Sequence, residues 1–217
     1  MKNQKYIFLY ALILTIVVFN IGIFMGYMLE ASRINKINDM YLEAEMELLD
    51  QRIQKDALDM LDLNCESLTK ENIKFADRIF KEAQIIQRYE NANRINNQIT
   101  FQHKRFDLLR TLFWINSIRI KEKCNSDYHN LVYLYNYNDP SIKQNAKEKF
   151  FSKVLGEIKG KFGDKIMLIP IAVDNNIPSI NLLIEEYEVT EFPTILIDED
   201  VKITELKNME EIEQYLR

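Results

Sequence analysis

The order of apolar and polar positions divides the chain into three zones, and the first of them predicts a membrane segment. No charged residue occurs from Tyr6 to Leu29, and most positions in this run are Ile, Leu, Val or Phe. The run exceeds the about 20 apolar residues with which a helix crosses the hydrocarbon core of a bilayer. It is also longer than the apolar region of a cleavable signal, which has about 7–15 residues. We therefore predict an uncleaved single-pass transmembrane helix over 6–29, preceded by a short tail, 1–5.

The predicted membrane helix contains Gly22 and Gly26, which form a G-x-x-x-G motif. Glycines four residues apart lie on one face of a helix and allow a second backbone to come close. We therefore treat these two glycines as candidate helix-packing residues.

The charges beside the apolar run predict its orientation. The amino group, Lys2 and Lys5 precede the run, whereas Arg33 and Lys36 follow it. Because cytoplasmic flanks carry the excess of cations, this difference favours an amino end inside the cell. We expect a protein of the cell membrane whose C-terminal domain is extracytoplasmic.

The second zone, 30–125, predicts a helical spacer of three helices, and Thr69, a favourable N-cap residue, is expected to begin the second of them. Neither Gly nor Pro, the strongest interrupters of regular structure, occurs between Gly26 and Pro140. Directly after the anchor, apolar residues recur at three- and four-residue steps, which is typical of a helix with one apolar face or of a coiled coil. We expect this face to be buried against the other helices, a second copy or the final domain. Its members are Leu42, Met46, Leu49, Ile53, Ala57 and Met60.

Cys65 and Cys124 are the two cysteines of the chain, and they bracket the second and third predicted helices. Two helices that return as a hairpin would bring these residues together, so outside the cytoplasm they would form a disulfide. Two separate buried thiols or a redox-active pair are the alternatives. His103 and His129 stand in no catalytic pattern, and we interpret both as solvated side chains.

The third zone, 130–217, predicts an α/β domain with the element order β-α-β-α-β-β-α. A strand bearing Leu131 and Tyr135 is followed by a turn and a helix, and 166–174 forms a nearly continuous apolar run that suits a strand buried on both faces. A short helix, a strand, a hairpin turn, a further strand and a closing helix complete the order. A strand, a crossover helix and a parallel strand form a right-handed unit.

This order resembles the thioredoxin-like fold, and the most specific match is the segment Val189-Thr190-Glu191-Phe192-Pro193-Thr194-Ile195-Leu196-Ile197. It is similar to the family pattern of a short helix, a Pro-Thr pair and an apolar strand. The resemblance implies that Pro193 follows a cis peptide bond. It also implies a peptide-binding groove beside this proline, lined by Tyr137, Asn138, Asp139 and Phe192.

The chain departs from that family at the junction of the first strand and first helix of the domain. Redox-active members carry C-x-x-C there, whereas this chain reads Tyr137-Asn138-Asp139-Pro140-Ser141-Ile142. Without a thiolate to attack a disulfide, thiol–disulfide exchange at this position is excluded.

Composition narrows the remaining functions. The chain has 28 Lys and Arg against 33 Asp and Glu, a net charge of −5, and no clustered cationic face for nucleic acid. Two cysteines and two histidines are too few for a zinc or iron–sulfur site. The sequence also lacks a phosphate-binding glycine loop and the common hydrolase motifs. We expect no cofactor, no metal, no catalytic residues, and no small-molecule substrate that these residues identify.

Three functions compete. The leading hypothesis is a membrane-anchored, redox-inactive thioredoxin-like module that binds or scaffolds a protein partner. The first alternative is a membrane-bound thiol–disulfide oxidoreductase that uses Cys65 and Cys124. The second is a membrane-tethered oligomerisation module, driven by Gly22, Gly26 and the stripe from Leu42 to Met60.

Overall fold

A computed structural model of the protein describes residues 2–61, 63–92, 97–138 and 141–216. The chain divides into two units, Met1–Glu43 and Ala44–Arg217. The second unit contains the sheet together with most of the segment predicted as a helical spacer.

The first helix, α1 (Lys2–Met60), contains the apolar N-terminal segment. Its part Tyr6–Ser32 has a mean hydropathy of 2.6 and is long and apolar enough to cross a membrane. Asn20, the strongly polar residue of this segment, donates from Nδ2 to the carbonyl of Ile16 at 2.7 Å. The polar side chain is therefore bonded within its own helix.

The described residues then form five further helices and four strands, which confirms the predicted passage from helices to a mixed α/β fold. Two helices follow α1, namely α2 (Cys65–Ala92) and α3 (Asn97–Cys124). The remaining order is β1 (His129–Tyr135), α4 (Ile142–Phe162), β2 (Ile166–Ala172), α5 (Pro178–Glu186), β3 (Thr194–Ile197), β4 (Val201–Ile203) and α6 (Met209–Glu213).

The four strands form one sheet in the order β2-β1-β3-β4. Strands β1 and β2 are parallel, as their connection through α4 requires, whereas β3 runs antiparallel to β1 and β4 antiparallel to β3. In this mixed sheet, β1 and β3 are the central strands.

Local sequence sets the helix starts, in one case not where we expected. Ser141 caps α4, since its side chain accepts from the N–H of Gln144 at 3.3 Å. Asn208 and Glu211 form a capping box at α6. The prediction that Thr69 begins the second helix was wrong, because the Asn64 side chain accepts from the N–H of Ser67 and α2 begins at Cys65.

Both faces of the sheet are buried, as the apolar pattern of β2 predicted. Leu131 and Tyr133 of β1 belong to a core with Phe151, Leu155 and other apolar residues of α4 and α6. The alternate residues of β1 point to the opposite face, and they are also buried. Helices α2 and α3 pack on the sheet as well.

The hairpin turn between β3 and β4 is joined to α3 by a buried hydrogen bond. The indole N–H of Trp114 donates to Glu199 Oε1 at 2.6 Å, and the Asn130 amide donates to the same oxygen at 3.3 Å. Burial raises the pKa of the Glu199 carboxyl, the Trp114 bond opposes that rise, and the negative charge of Asp198 adds to it. This contact ties the end of the sheet to a helix that lies far away in sequence.

Asp198 makes a second connection from the same turn. Burial raises the pKa of its carboxyl, but hydrogen bonds from His129, Lys121 and the backbone N–H of Asn130 outweigh burial and leave that pKa lowered. The distances from Asp198 to His129 Nδ1 and Lys121 Nζ are 2.5 Å and 2.6 Å. The prediction that His129 is merely solvated was wrong, because it is half-buried and bonded to this carboxylate.

The predicted stripe on α1 does not lie in a core. Leu42, Met46, Leu49, Ile53 and Met60 are all exposed, between 58% and 82%, and only Ala57 is half-buried. Of the three expected ways to bury this face, packing on the other helices and packing on the final domain are therefore not seen, and packing on a second copy stays a prediction. The opposite side of the same helix, with Glu47, Gln51 and Leu58, is buried instead.

Cys65 and Cys124 form a disulfide, which confirms the predicted pairing. Cys65 is the first residue of α2 and Cys124 the last of α3. The bond therefore ties the two open ends of a helical hairpin.

Replacing both cysteines by serine is expected to lower the free energy of unfolding of the full chain by between about 3 and about 4.7 kcal/mol, because the unfolded chain loses the constraint on a long loop. Denaturant unfolding in detergent micelles, followed by the fluorescence of Trp114, measures the change. An unchanged transition midpoint would show that the bond does not stabilise the fold.

Candidate functional site

Three loops meet at one edge of the sheet. Tyr135, the last residue of β1, pairs with Ala172, the last residue of β2. Leu134 pairs with Thr194, the first residue of β3. Because β3 is antiparallel to β1, the chain after β1, the chain after β2 and the chain before β3 all reach the same edge.

The sequence-predicted groove residues belong to these loops. Tyr137 and Phe192 are half-buried, Asn138 is exposed and Pro193 is buried. The Phe192–Pro193 peptide bond is cis. Asp139, the remaining residue of the predicted groove, lies outside the described residues.

Two carboxylates hold the backbone of the loop after β1. Asp174 accepts from the N–H of Tyr137 at 2.8 Å and from the N–H of Asn138 at 2.6 Å, one on each oxygen. Glu148 of α4 accepts from the N–H of Asn136 at 3.3 Å. Three successive backbone donors are thus bonded, so the loop is fixed before any ligand arrives.

Neither Glu148 nor Asp174 was among the residues that the sequence predicted for this site. Burial raises the pKa of the Glu148 carboxyl, the hydrogen bond from the Asn136 backbone lowers it, and the charge of Asp174 raises it further. The two acids therefore lie close enough to influence one another, and each also organises the same loop.

A buried polar cluster lies beneath this loop and comes from α3. His103, Asp107 and Arg110 follow each other at four- and three-residue steps, so they share one face of the helix. The exposed fraction of each is 3% or less. The ring nitrogen Nδ1 of His103 lies 2.8 Å from Asp107 Oδ2, and Arg110 Nη1 donates to Asp107 Oδ1 at 3.3 Å. The prediction that His103 is solvated was wrong.

The sheet edge completes the bonding of Asp107. The backbone N–H of Ala172 donates to Asp107 Oδ1 at 3.3 Å, and the buried Asn175 amide donates to Oδ2 at 3.0 Å. This carboxylate is fully buried, and its four partners replace the water that it loses.

His103 connects the cluster to the loop after β1. Its ring stacks on Tyr137, with the two ring centroids 3.9 Å apart. Its Nε2 lies 3.3 Å from the hydroxyl of Tyr135. Both ring nitrogens are therefore engaged within the fold, and this geometry suits support of the loop better than proton transfer to a substrate.

The other predicted residues lie elsewhere. Cys65 and Cys124 are bonded to each other at the helix ends. Gly22 and Gly26 lie on α1, with open space around the position that a Cβ would occupy. Within the described ranges, no group of three or more His, Cys, Asp or Glu side chains is placed to hold a metal ion.

Comparison of the chain with protein-family models, curated proteins and solved structures gives no match.

Replacing Asp107 by alanine removes the counter-charge of Arg110 while the guanidinium remains buried. We expect the free energy of unfolding to fall by about 3–5 kcal/mol, the usual result when one member of a buried pair is removed. Unfolding of the full chain in micelles, followed by Trp114 fluorescence, measures this loss.

The matched control is Asp59→Ala, because Asp59 binds Arg119 at 2.8 Å in an exposed ion pair. Exposed pairs contribute about 0–1 kcal/mol, so this variant should unfold almost as the parent does. Adding Arg110→Met to Asp107→Ala should recover part of the loss. Equal losses in the two aspartate variants would contradict a buried role for Asp107.

Proposed function

We propose that the protein is a single-pass membrane protein whose C-terminal part, 130–217, is a redox-inactive thioredoxin-like module that binds an extended segment of a protein partner outside the cytoplasm. Residues 6–29 form its anchor, and 30–125 form the helical segment between anchor and module.

The arrangement of the strands supports the thioredoxin-like part of this proposal. Parallel β1 and β2 are connected through α4, antiparallel β3 and β4 lie on the other side of β1, and α6 follows last. That is the element order which the resemblance in sequence implies, and Tyr137, Asn138 and Phe192 of the predicted groove lie on the loops of one sheet edge.

The positions of the cysteines support a binding role rather than a redox role. Both cysteines of the chain are bonded to each other at the ends of α2 and α3. The loop between β1 and α4 contains Tyr137, Asn138 and Ser141, whose side chains supply no thiolate.

The observation that carries the binding proposal is the bonded backbone of the loop after β1. Asp174 and Glu148 hold three successive N–H groups, and Tyr137 rests on His103. A surface fixed in advance loses little conformational entropy when a ligand binds, which favours affinity. In this proposal an extended peptide lies across the fixed loop and contacts the side chains of Tyr137 and Phe192, whereas the loop N–H groups stay bonded to their carboxylates.

Two features of the chain support the proposed compartment. The segment Tyr6–Ser32 is apolar enough to be the anchor, and the charges beside it favour a cytoplasmic amino end. Disulfides persist in oxidising compartments, so the Cys65–Cys124 bond supports an extracytoplasmic module.

Topology is tested with Ile142→Cys. Ile142 is 93% exposed at the start of α4, and because the native cysteines are bonded to each other, the new thiol is the free one. We expect a membrane-impermeant maleimide to label it in intact cells, whereas Lys5→Cys should be labelled only after permeabilisation. The reverse pattern would place the module in the cytoplasm and contradict the proposal.

Binding is tested with peptides selected from a displayed random library on the full chain in micelles. Tyr137→Ala and Phe192→Ala should each weaken the selected peptides by about tenfold or more, a loss of about 1.4 kcal/mol, because they remove apolar contact area at the proposed groove. Fluorescence anisotropy measures the dissociation constants.

The control variant is Leu182→Ala, which truncates an apolar side chain of α5 that is 67% exposed. It should leave the dissociation constants unchanged. Peptides that bind all three variants like the parent would exclude the proposed groove, as would a library that yields no binder to the parent chain.

A further inference from the structure

The C-terminal part of α1 presents an apolar seam to solvent. We define the seam as Leu42, Met46, Leu49, Ile53 and Met60, whose side chains are 58–82% exposed. The first four follow one another at steps of four, three and four residues, and Met60 lies one heptad after Ile53. This is the spacing of the core positions in a coiled coil.

The opposite side of the same helix packs on the rest of the fold, and it buries polar residues as well as Leu58. Glu47 and Gln51 are buried there. Arg78 of α2 binds Glu47 at 2.5 Å, and the Asn116 amide of α3 donates to the backbone and side-chain oxygens of Gln51 at 2.9 Å and 3.0 Å. A surface helix ordinarily turns its apolar stripe to its own core, whereas here the stripe that forms the seam is exposed.

We propose that the seam is the interface of a parallel two-stranded coiled coil between two copies of this chain. In a coiled coil the positions behind the seam normally face solvent. In this protein those positions carry the contacts with the rest of the fold, so the seam is left for a second copy.

The size of the seam is sufficient for pairing. Five large side chains that are more than half exposed amount to roughly 500 Å² per copy, comparable to the largest apolar patch of a typical monomer. Two copies would together bury about 1,000 Å², which is the lower limit for a specific interface.

The charges beside the seam allow a second copy to approach. Arg105 pairs with Glu45, and Arg119 pairs with Asp59, so acidic residues on one flank are neutralised within their own chain. The remaining flank is acidic rather than basic, whereas helices that lie on a membrane surface are rich in Lys and Arg. The acidic flank, with Glu43 and Asp50, therefore argues against a lipid surface, and the paired flank does not repel a second copy.

The parallel direction rests on the proposed membrane insertion, because copies that insert with the same topology run in the same direction. Gly22 and Gly26 of the same helix have open space around them and form a motif that favours close helix pairing in membranes. Two separate features of α1 thus favour association with a second α1.

Asp56 supplies a sharp test because it lies at the core position of the heptad pattern between Ile53 and Met60 that the apolar seam leaves out. Two Asp56 carboxylates would face each other in the coiled coil and weaken it. Asp56→Leu should therefore tighten the dimer by about tenfold, and a misfolded variant would not show this gain. Leu49→Asp should weaken it by about tenfold or more, with each tenfold change corresponding to 1.4 kcal/mol.

The experiment uses the full chain in detergent micelles. Leu49→Cys places the free thiol in the seam, and Lys55→Cys places it behind the seam as the matched control. Mild oxidation should join two Leu49→Cys chains and leave Lys55→Cys chains single. Energy transfer between labelled copies on dilution gives the dissociation constants of Asp56→Leu and Leu49→Asp, and Trp114 fluorescence confirms that both are folded.

Three results would overturn the proposal. First, the Leu49→Cys chain could stay monomeric in micelles while its thiol reacts with a water-soluble maleimide at the rate of a free thiol. That result would show that no second copy covers the seam. Second, the thiol could be protected from the maleimide in lipid vesicles that contain one chain each. Because no second copy is present there, that result would show that the seam lies against the lipid. A weaker dimer in Asp56→Leu would contradict the coiled-coil register. A chain that dimerises but binds no peptide refutes only the proposed function.

Discussion

The burial of α3 is the constraint on which the rest of the structure depends. Phe113, Trp114 and Leu109 of this helix are buried, but its polar residues Asp107, Asn116 and Ser117 are buried as well. A buried polar group without a partner costs about 1–3 kcal/mol, so each of these side chains needs a partner from another element. The positions of those partners fix how the sheet edge, α1 and the β1 strand are placed around α3.

The hydrogen-bond partners of each buried polar side chain of α3 have a different consequence for the fold. Asp107 accepts hydrogen bonds from the backbone at the end of β2 and from Asn175. It thereby supports the sheet edge on which we place the proposed binding site. Ser117 donates to the Asn130 side chain at 2.6 Å, which ties the start of β1 to the helix. The Asn116 amide donates to Gln51 of α1. This contact holds the side of α1 opposite the apolar seam against the fold, so the seam faces away from it. The proposed binding edge and the proposed dimer seam therefore both depend on contacts with this one helix.

Much of the fold could be predicted from local patterns, because those patterns depend on neighbours in sequence. Alternating and continuous apolar runs predicted the strands, and the pairing of Cys65 with Cys124 followed from two helices forming a hairpin. The cluster of His103, Asp107 and Arg110 could not be predicted, since charged residues at helical spacing usually mark a solvated face. Only the tertiary contacts with Ala172 and Asn175 show that this face is buried. The exposure of the seam could not be predicted for a related reason. Periodicity indicates which residues share a face of a helix, but not whether that face turns toward the core or toward solvent.

The chemistry of the sheet edge follows from what holds its loop. A carboxylate that accepts two backbone N–H groups, as Asp174 does, stabilises one loop conformation and uses its own oxygens to do so. His103 is likewise occupied by Asp107, Tyr135 and the ring of Tyr137. The polar groups beneath this edge are thus committed to the shape of the loop, and no thiol is present in the loop itself. An edge whose ionisable groups maintain a fixed surface is better suited to recognition than to catalysis, and this is the physical argument for the binding role that we propose.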